Sequence, residues 1–119
     1  MKEQIYKIEE NDILLRIFIS EKEKHQGKNL AEVIVNKARE IGIAGATVLR
    51  GLLGYGADRH LHIARLLDLS SGLPLVIEIV DSKKNLQKLL PFLEETIKDG
   101  FITMEKVHVV KYRRRPEPS

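Results

Sequence analysis

Apolar and mixed positions alternate over residues 13–20. Ile13, Leu15, Ile17 and Ile19 hold the odd positions; Leu14, Arg16, Phe18 and Ser20 hold the even ones. A period of two with one wholly apolar side predicts a strand packed on one face. From Leu30 the period becomes helical: Leu30, Val33, Ile34, Lys37, Ala38 and Ile41 share one side, with Lys37 the one polar break. Asn29 with Glu32 three residues on predicts the N-cap and its reciprocal partner, and Gly42 the stop. Residues 46–53 predict a second strand. Residues 73–80 predict a third, with Leu73, Leu75, Ile77 and Ile79 on one face and Pro74, Val76, Glu78 and Val80 on the other. Asp81 and Ser82 supply a cap for a second helix striped by Leu86, Leu89, Leu90, Leu93 and Ile97. Pro91 inside that stripe predicts one kinked helix, because it removes a backbone hydrogen bond. Gly100 ends it, and residues 107–112 predict a fourth strand. The polar residues 1–12 read as a short strand around Ile5 and Tyr6 or as an ordered arm.

The order is strand, helix, strand, long loop, strand, helix, strand. Two βαβ halves predict an α+β, ferredoxin-like βαββαβ domain over residues 1–112, an antiparallel sheet with two helices on one face. Residues 113–119 read as a flexible basic tail. The odd faces of strands one and three meet the helices. The other face then carries Leu14, Phe18, Val76, Val80, Val110 and Tyr112, with Arg16 and Glu78 placed to pair. That is more apolar surface than a monomer leaves wet, and it predicts an oligomer closed through the open sheet face. Residues 57–72 form a loop longer than is usual in a compact domain. It holds His60-Leu61-His62-Ile63 and Leu66-Leu67-Asp68-Leu69, too apolar for a plain linker, and is expected to pack on another surface and to be the most mobile internal segment.

The composition narrows the function. The chain has 119 residues, 43% hydrophobic and 31% charged, and no cysteine, which removes disulfides and thiolate chemistry. No apolar run reaches the roughly 18 residues of a membrane span, and the start lacks the apolar core of a signal peptide, so a cytoplasmic location is expected. The net charge of +3 sits mostly in the end: residues 112–119 hold three of the 20 Lys and Arg and one of the 17 Asp and Glu, leaving the rest at +1. That is no broad footprint for nucleic acid. An RNA-binding sheet would need exposed aromatics on both central strands, where only Phe18 is available.

Candidate chemistry is sparse. Gly54-Tyr55-Gly56 is a place where backbone N–H groups can approach a phosphate; it also reads as a strand bulge ending a hairpin. Lys106 is a candidate phosphate charge or a solvated lysine at a strand start. Arg113, Arg114 and Arg115 read as a disordered basic end or as a clamp on an anion. His60 and His62 alternate and, with Asp58 or Asp68, would be metal ligands, but no second tight pair accompanies them. His25 and His108 have no visible partners. No Ser or Cys nucleophile has a local base, and Glu94-Glu95 reads as solvated surface. No catalytic residue, no metal and no cofactor is expected.

Gly42-Ile43-Ala44-Gly45-Ala46-Thr47-Val48 resembles the stretch after the first helix of PII signal-transduction proteins. Gly54-Tyr55-Gly56 resembles the Gly-aromatic-Gly that opens their T-loop, and Ile77-Glu78-Ile79-Val80 their third strand. Residues 99–107 are similar to their B-loop and the start of the next strand. The order and spacing resemble an uncharacterised bacterial and archaeal PII-like family more closely still. The resemblance implies a homotrimer that binds a small anionic ligand, an adenine nucleotide, between subunits and signals to a protein partner, a membrane transporter among them, through its loop. It implies roles for Gly54, Tyr55 and Gly56 near phosphates, for Gly100 and Lys106 in the B-loop, and for Thr47 and Glu78 beside the nucleoside. There are departures. Ala57 and Asp58 replace basic and amide residues, and Phe101 and Thr103 replace a basic residue and a glycine. The terminal arginines are out of register, and the loop is shorter and lacks the modified tyrosine. A ligand smaller than a nucleoside triphosphate fits these departures at least as well. A metal- or ion-responsive trimer similar to the CutA proteins, using His60 and His62, is the alternative.

Overall fold

The computed structural model describes residues 4–6, 12–65 and 72–116. Four strands form one antiparallel sheet: β1 (Asp12–Ser20), β2 (Thr47–Arg50), β3 (Pro74–Ser82) and β4 (Phe101–Val107), in the order β2-β3-β1-β4. The helical layer is α1 (Leu30–Glu40), α2 (Lys83–Gln87) and α3 (Leu90–Thr96). This is the ferredoxin-like plan that the periodicity predicts. Register follows the pattern: Leu15 lies opposite Ile79 and Ile17 opposite Ile77, so the apolar sides of β1 and β3 coincide. Leu30, Ile34 and Ala38 of α1, Leu86 of α2, Leu89 between the two later helices and Leu93 of α3 close over them, all buried. Burial of that kind contributes about 1.5–3 kcal/mol per large side chain.

The ends of α1 are capped where its sequence places them, whereas α3 stops at Thr96, four residues before the Gly100 expected to end it. The Asn29 side chain accepts from the Glu32 N–H at 3.1 Å. At the other end Ile43 N–H donates to Ala38 O and Gly42 N–H to Arg39 O, with Gly42 at φ +89°, a paired closure that only a left-handed residue completes. Lys37, the polar break in the stripe, places its Nζ 5.5 Å from the centre of the Phe92 ring. His25 meets the same ring edge-on at 6.0 Å, a partner the sequence did not reveal.

Other boundaries differ from expectation as well. The second strand ends at Arg50 rather than at residue 53. β3 begins at Pro74, which has no N–H to extend the ladder, so Gly51 N–H makes a last bond to Pro74 O at 2.8 Å and the chain turns away. The second helix is two segments, not one kinked one. Lys88 and Leu89 N–H groups bond back three residues, to Asn85 and Leu86, and α3 starts with Pro91 in its first turn. The proline has no N–H to continue α2, yet Leu86, Leu89 and Leu93 keep one buried stripe across the break. The fourth strand is Phe101–Val107, not 107–112. Its Ile102 pairs with Ile17 on the helix side, while Thr103 and Glu105 face outward, as edge strands tolerate.

Two short ladders complete the described chain. Lys24–His25 pairs with Lys28–Asn29 around Gln26 and Gly27, both at positive φ, a two-residue hairpin inside what reads as a charged loop. Gln4–Tyr6 pairs with Tyr112–Arg114, so Arg113 and Arg114 of the basic end lie in a ladder. Leu66, Leu67, Asp68 and Leu69 lie outside the described residues. Among the described residues no helix is long and apolar enough to cross a membrane.

The corrected register rewrites the open face. Val110 and Tyr112 leave it, and Phe101, Thr103, Glu105 and Val107 join it. Three rows run across the sheet. Leu49, Val76, Phe18 and Phe101 form an apolar row; Thr47, Glu78, Arg16 and Thr103 a polar one; Val80, Leu14 and Glu105 a third. Arg16 Nε donates to Glu78 Oε2 at 2.8 Å, and Arg16 Nη1 lies 3.6 Å from Glu105 Oε1. The Glu78 hydrogen bond comes first among the causes that raise the guanidinium above its ordinary value.

Candidate functional site: a cleft at the base of the loop

Pro74 organises this end of the sheet. A Cβ on Gly51 or on Gly54 would lie 2.9 Å from Pro74 Cγ, so both glycines are needed for the chain to fold around the ring. Leu53–Gly54 then pairs with His62–Ile63, and Ala64 N–H donates to Leu52 O at 2.8 Å. Tyr55 to Leu61 is therefore the tip of a hairpin. Within it Asp58 Oδ1 accepts from the His60 N–H at 2.9 Å, and Arg59 sits at φ +60°. Gly56 has no contact within 4 Å for an added Cβ, and neither Gly54 nor Gly56 has a positive φ. A glycine thus answers to the closeness of Pro74 at Gly54 and leaves open approach at Gly56.

The base of the loop is tied down by one carboxylate. Glu21 accepts from Arg50 Nε at 2.8 Å and Nη2 at 3.1 Å, and also from the Leu73 N–H at 2.8 Å. A bidentate guanidinium pair carries geometric definition as well as charge. The strand leading into Gly54 and the segment returning to β3 are held by the same side chain.

Between this hairpin and the start of β4 lies a cleft of about 480 Å³, within the usual range for small-molecule sites. Gly54, Tyr55, Gly56 and Gly100 all line it. Gly100 is required there: it sits at φ +149°, and a Cβ would collide with the Phe18 carbonyl oxygen. Beside the Tyr55 phenol, the charged and titratable lining consists of Lys22, Glu23, Asp58, His62 and Asp99.

Of the seven residues to which the resemblance gave a ligand-binding role, four meet in this cleft, Gly54, Tyr55, Gly56 and Gly100, and the metal candidates Asp58 and His62 line it too. Thr47 and Glu78 lie opposite each other on the open face, in the polar row. Lys106 does not join the cleft within one chain. It pairs with Ile13, five residues along β4 from Phe101, about 17 Å at a strand's rise. Residues 101–106, read as loop, are strand, so Lys106 is fixed on the helix side of an edge strand. His60 and His62 have ring centres 6.1 Å apart, and His62 Nε2 is 3.9 Å from Asp58 Oδ2. Among the described residues no three His, Cys, Asp or Glu side chains converge to hold a metal. Sequence reasoning missed Lys22, Glu21 and Phe101 here. The first two sit in an unpatterned charged stretch, and Phe101 was noted only as a departure from PII.

Asp58 carries a testable pH effect. The His60 N–H hydrogen bond is the first cause holding its carboxyl below the usual carboxylate range; desolvation opposes, and the charges of His62, His60 and Lys22 add to the lowering. A carboxyl depressed in the folded chain contributes order that is present above its unfolded value, about 3.9, and lost as pH falls through the lower folded one. The His60 amide resonance is expected to titrate with a midpoint below that of an unfolded aspartate. A midpoint at or above it would remove the turn hydrogen bond from the account.

With this geometry in place, comparison with known proteins gives the class. The chain shares its fold with PII-like signalling proteins. A protein of Thermus thermophilus described as PII-like superposes with a TM-score of 0.58 at 18% identity, over 83% of this chain and 90% of that one. CPII of Thiomonas intermedia K12, a nitrogen regulatory PII-like protein solved with ADP, AMP and bicarbonate, gives 0.55 at 19% identity, over 89% and 91%. The family is narrower: residues 12–109 match DUF190, "Uncharacterized ACR, COG1993", and the chain belongs to it. A UPF0166 protein of Aquifex aeolicus (strain VF5) is 42% identical over 100 residues, 82% of this chain and 91% of the relative. Another, of Methanocaldococcus jannaschii, is 37% identical over 99 residues, with the same shares.

Proposed function

We propose that this protein is a non-catalytic, cytoplasmic regulator of the PII-like kind: a homotrimer that binds an adenine nucleotide between subunits and presents its loop to a protein partner. The observation that carries the reading is the meeting of Gly54, Tyr55 and Gly56 with Gly100 in one cleft, from segments more than 40 residues apart. The ADP and AMP bound by CPII, which has this fold, support the same ligand class. The charge of the cleft supports assembly. Lys22 and His62 face Glu23, Asp58 and Asp99, so one chain offers little net attraction to phosphate. A neighbouring copy in the trimer supplies Lys106, and Thr47 and Glu78 lie beside the nucleoside at the junction.

The loop is the output. Glu21 ties Arg50 to Leu73, so a ligand that moves the Gly54–Gly56 backbone acts on both ends of the loop at once. The nucleotide shifts the loop only as far as it prefers one loop state over the other. A membrane transporter is the partner class that the resemblance to PII suggests. The metal reading is not favoured, because His60 and His62 find no third ligand among the described residues.

A thermal-shift screen with AMP, ADP, ATP and divalent metals tests this. A ligand that binds the folded state raises the midpoint by mass action. AMP or ADP is expected to raise it, and Lys106→Ala to weaken that binding by about 1.5–3 kcal/mol, the range for a hydrogen bond to a charged group. A midpoint moved only by zinc or copper, and no longer after His60→Ala, would replace the nucleotide reading with the metal one.

A further inference from the structure

Phe18 and Phe101 stack with ring centres 4.5 Å apart and planes 11° from parallel. That spacing is close to the distance between neighbouring strands, and the two residues lie directly opposite each other on β1 and β4. The rings therefore stand edge-up on the sheet and stack along the hydrogen-bonding direction. Leu49 and Val76 continue the row inward. At the other end β4 is the sheet's edge, so the second face of Phe101 has no strand beside it, and the residue is left 59% exposed. Both rings line the cleft that holds Gly54, Gly56 and Gly100. An exposed aromatic face that ends a stack beside a backbone turn suits a planar conjugated ring better than an aliphatic or a purely ionic ligand.

From this we infer that Phe101 is the stacking platform for the base of the bound nucleotide and sets the preference for ligands that carry one. Gly100 places it: with no Cβ at that position the chain can pass against the Phe18 carbonyl and bring the next ring onto Phe18. The phosphate end then lies toward Gly54, Gly56 and Lys22. The inference rests on the nucleotide reading above and adds the chemical feature that is recognised.

The chain has three tyrosines but no tryptophan, so Phe101→Trp gives a single indole at the platform that can be excited selectively at long wavelength. ADP is expected to quench it, while inorganic pyrophosphate and ribose 5-phosphate leave it unchanged. By calorimetry, Phe101→Ala is expected to bind ADP about 5- to 100-fold more weakly, the range for a base that loses an aromatic support. Phe101→Trp is expected to keep wild-type affinity, and light scattering to give both variants the wild-type mass. ADP binding that is equal in wild type and Phe101→Ala overturns the inference and leaves the nucleotide reading standing. A changed mass for Phe101→Ala also overturns it, because Phe101 then serves the subunit interface. No ADP binding to wild type overturns both.

Discussion

If the protein is the homotrimer proposed, Phe18→Asp is expected to give single chains that remain folded. Phe18 lies in the middle of the apolar row Leu49, Val76, Phe18 and Phe101 on the open sheet face. Within one chain it is only partly buried, so an aspartate there still reaches water and the core beneath is untouched. That core is Leu15, Ile17 and Ile77, all fully buried on the opposite face. In an assembly closed through this face, with Phe101 left at its rim beside the cleft, the same carboxylate is enclosed without a partner. Burying an unpaired charge is costly enough to outweigh much of a subunit interface. Light scattering at micromolar concentration should give three chains for wild type and one for the variant, with the far-UV circular dichroism of the two alike. A wild type that runs as a single chain, or a variant that stays trimeric, would contradict the role given to this face.

Gly100→Val is expected to be the most damaging substitution for the fold itself. Two effects combine at this residue. The added Cβ would overlap the Phe18 carbonyl oxygen, a backbone atom inside the β1 ladder that has little room to move, and would also lie 3.0 Å from Ile19 Cγ2. The φ of +149° adds a conformation that a β-branched residue rarely adopts. Overpacking and backbone strain each cost about 1–3 kcal/mol, so a loss of about 2–6 kcal/mol is expected. It should appear as a lower urea midpoint with unchanged slope. A loss below about 1 kcal/mol would mean that β4 can enter the sheet by another route, and the placement of Phe101 would lose its basis.

Much of this fold could be read from the sequence, and the failures have physical causes. β1, α1 and β3 were legible because each carries a sustained apolar period: Ile13 to Ile19, Leu30 to Ala38 with only Lys37 interrupting, and Leu75 to Ile79. The Arg16–Glu78 pair followed from adjacency of the two central strands. β4 was misplaced because an edge strand needs only one apolar side, and Thr103, Glu105 and Lys106 hide it, while Val107-His108-Val109-Val110 looks more strand-like. The break in β2 depended on Pro74, which is distant in sequence. The split of the second helix turned on whether Pro91 bends a helix or starts a new one, and local pattern does not decide that. The candidate site was half legible. The glycines were visible because their spacing resembles PII, and Gly54 and Gly100 do stand at close approaches. Lys22, Glu21 and Phe101 gave no periodic signal, since only the tertiary fold brings them beside the glycines.

The most direct test of the central claim is calorimetric titration of ADP into wild type and Gly56→Val. Gly56 has open space around it, so the valine costs the fold little, and any effect on binding reports on the ligand's approach to the backbone. Wild type is expected to saturate with a single class of sites, and Gly56→Val, at unchanged mass and midpoint, to show no binding. Equal affinity in the two proteins, or no heat with wild type, would place the function of this family outside the cleft.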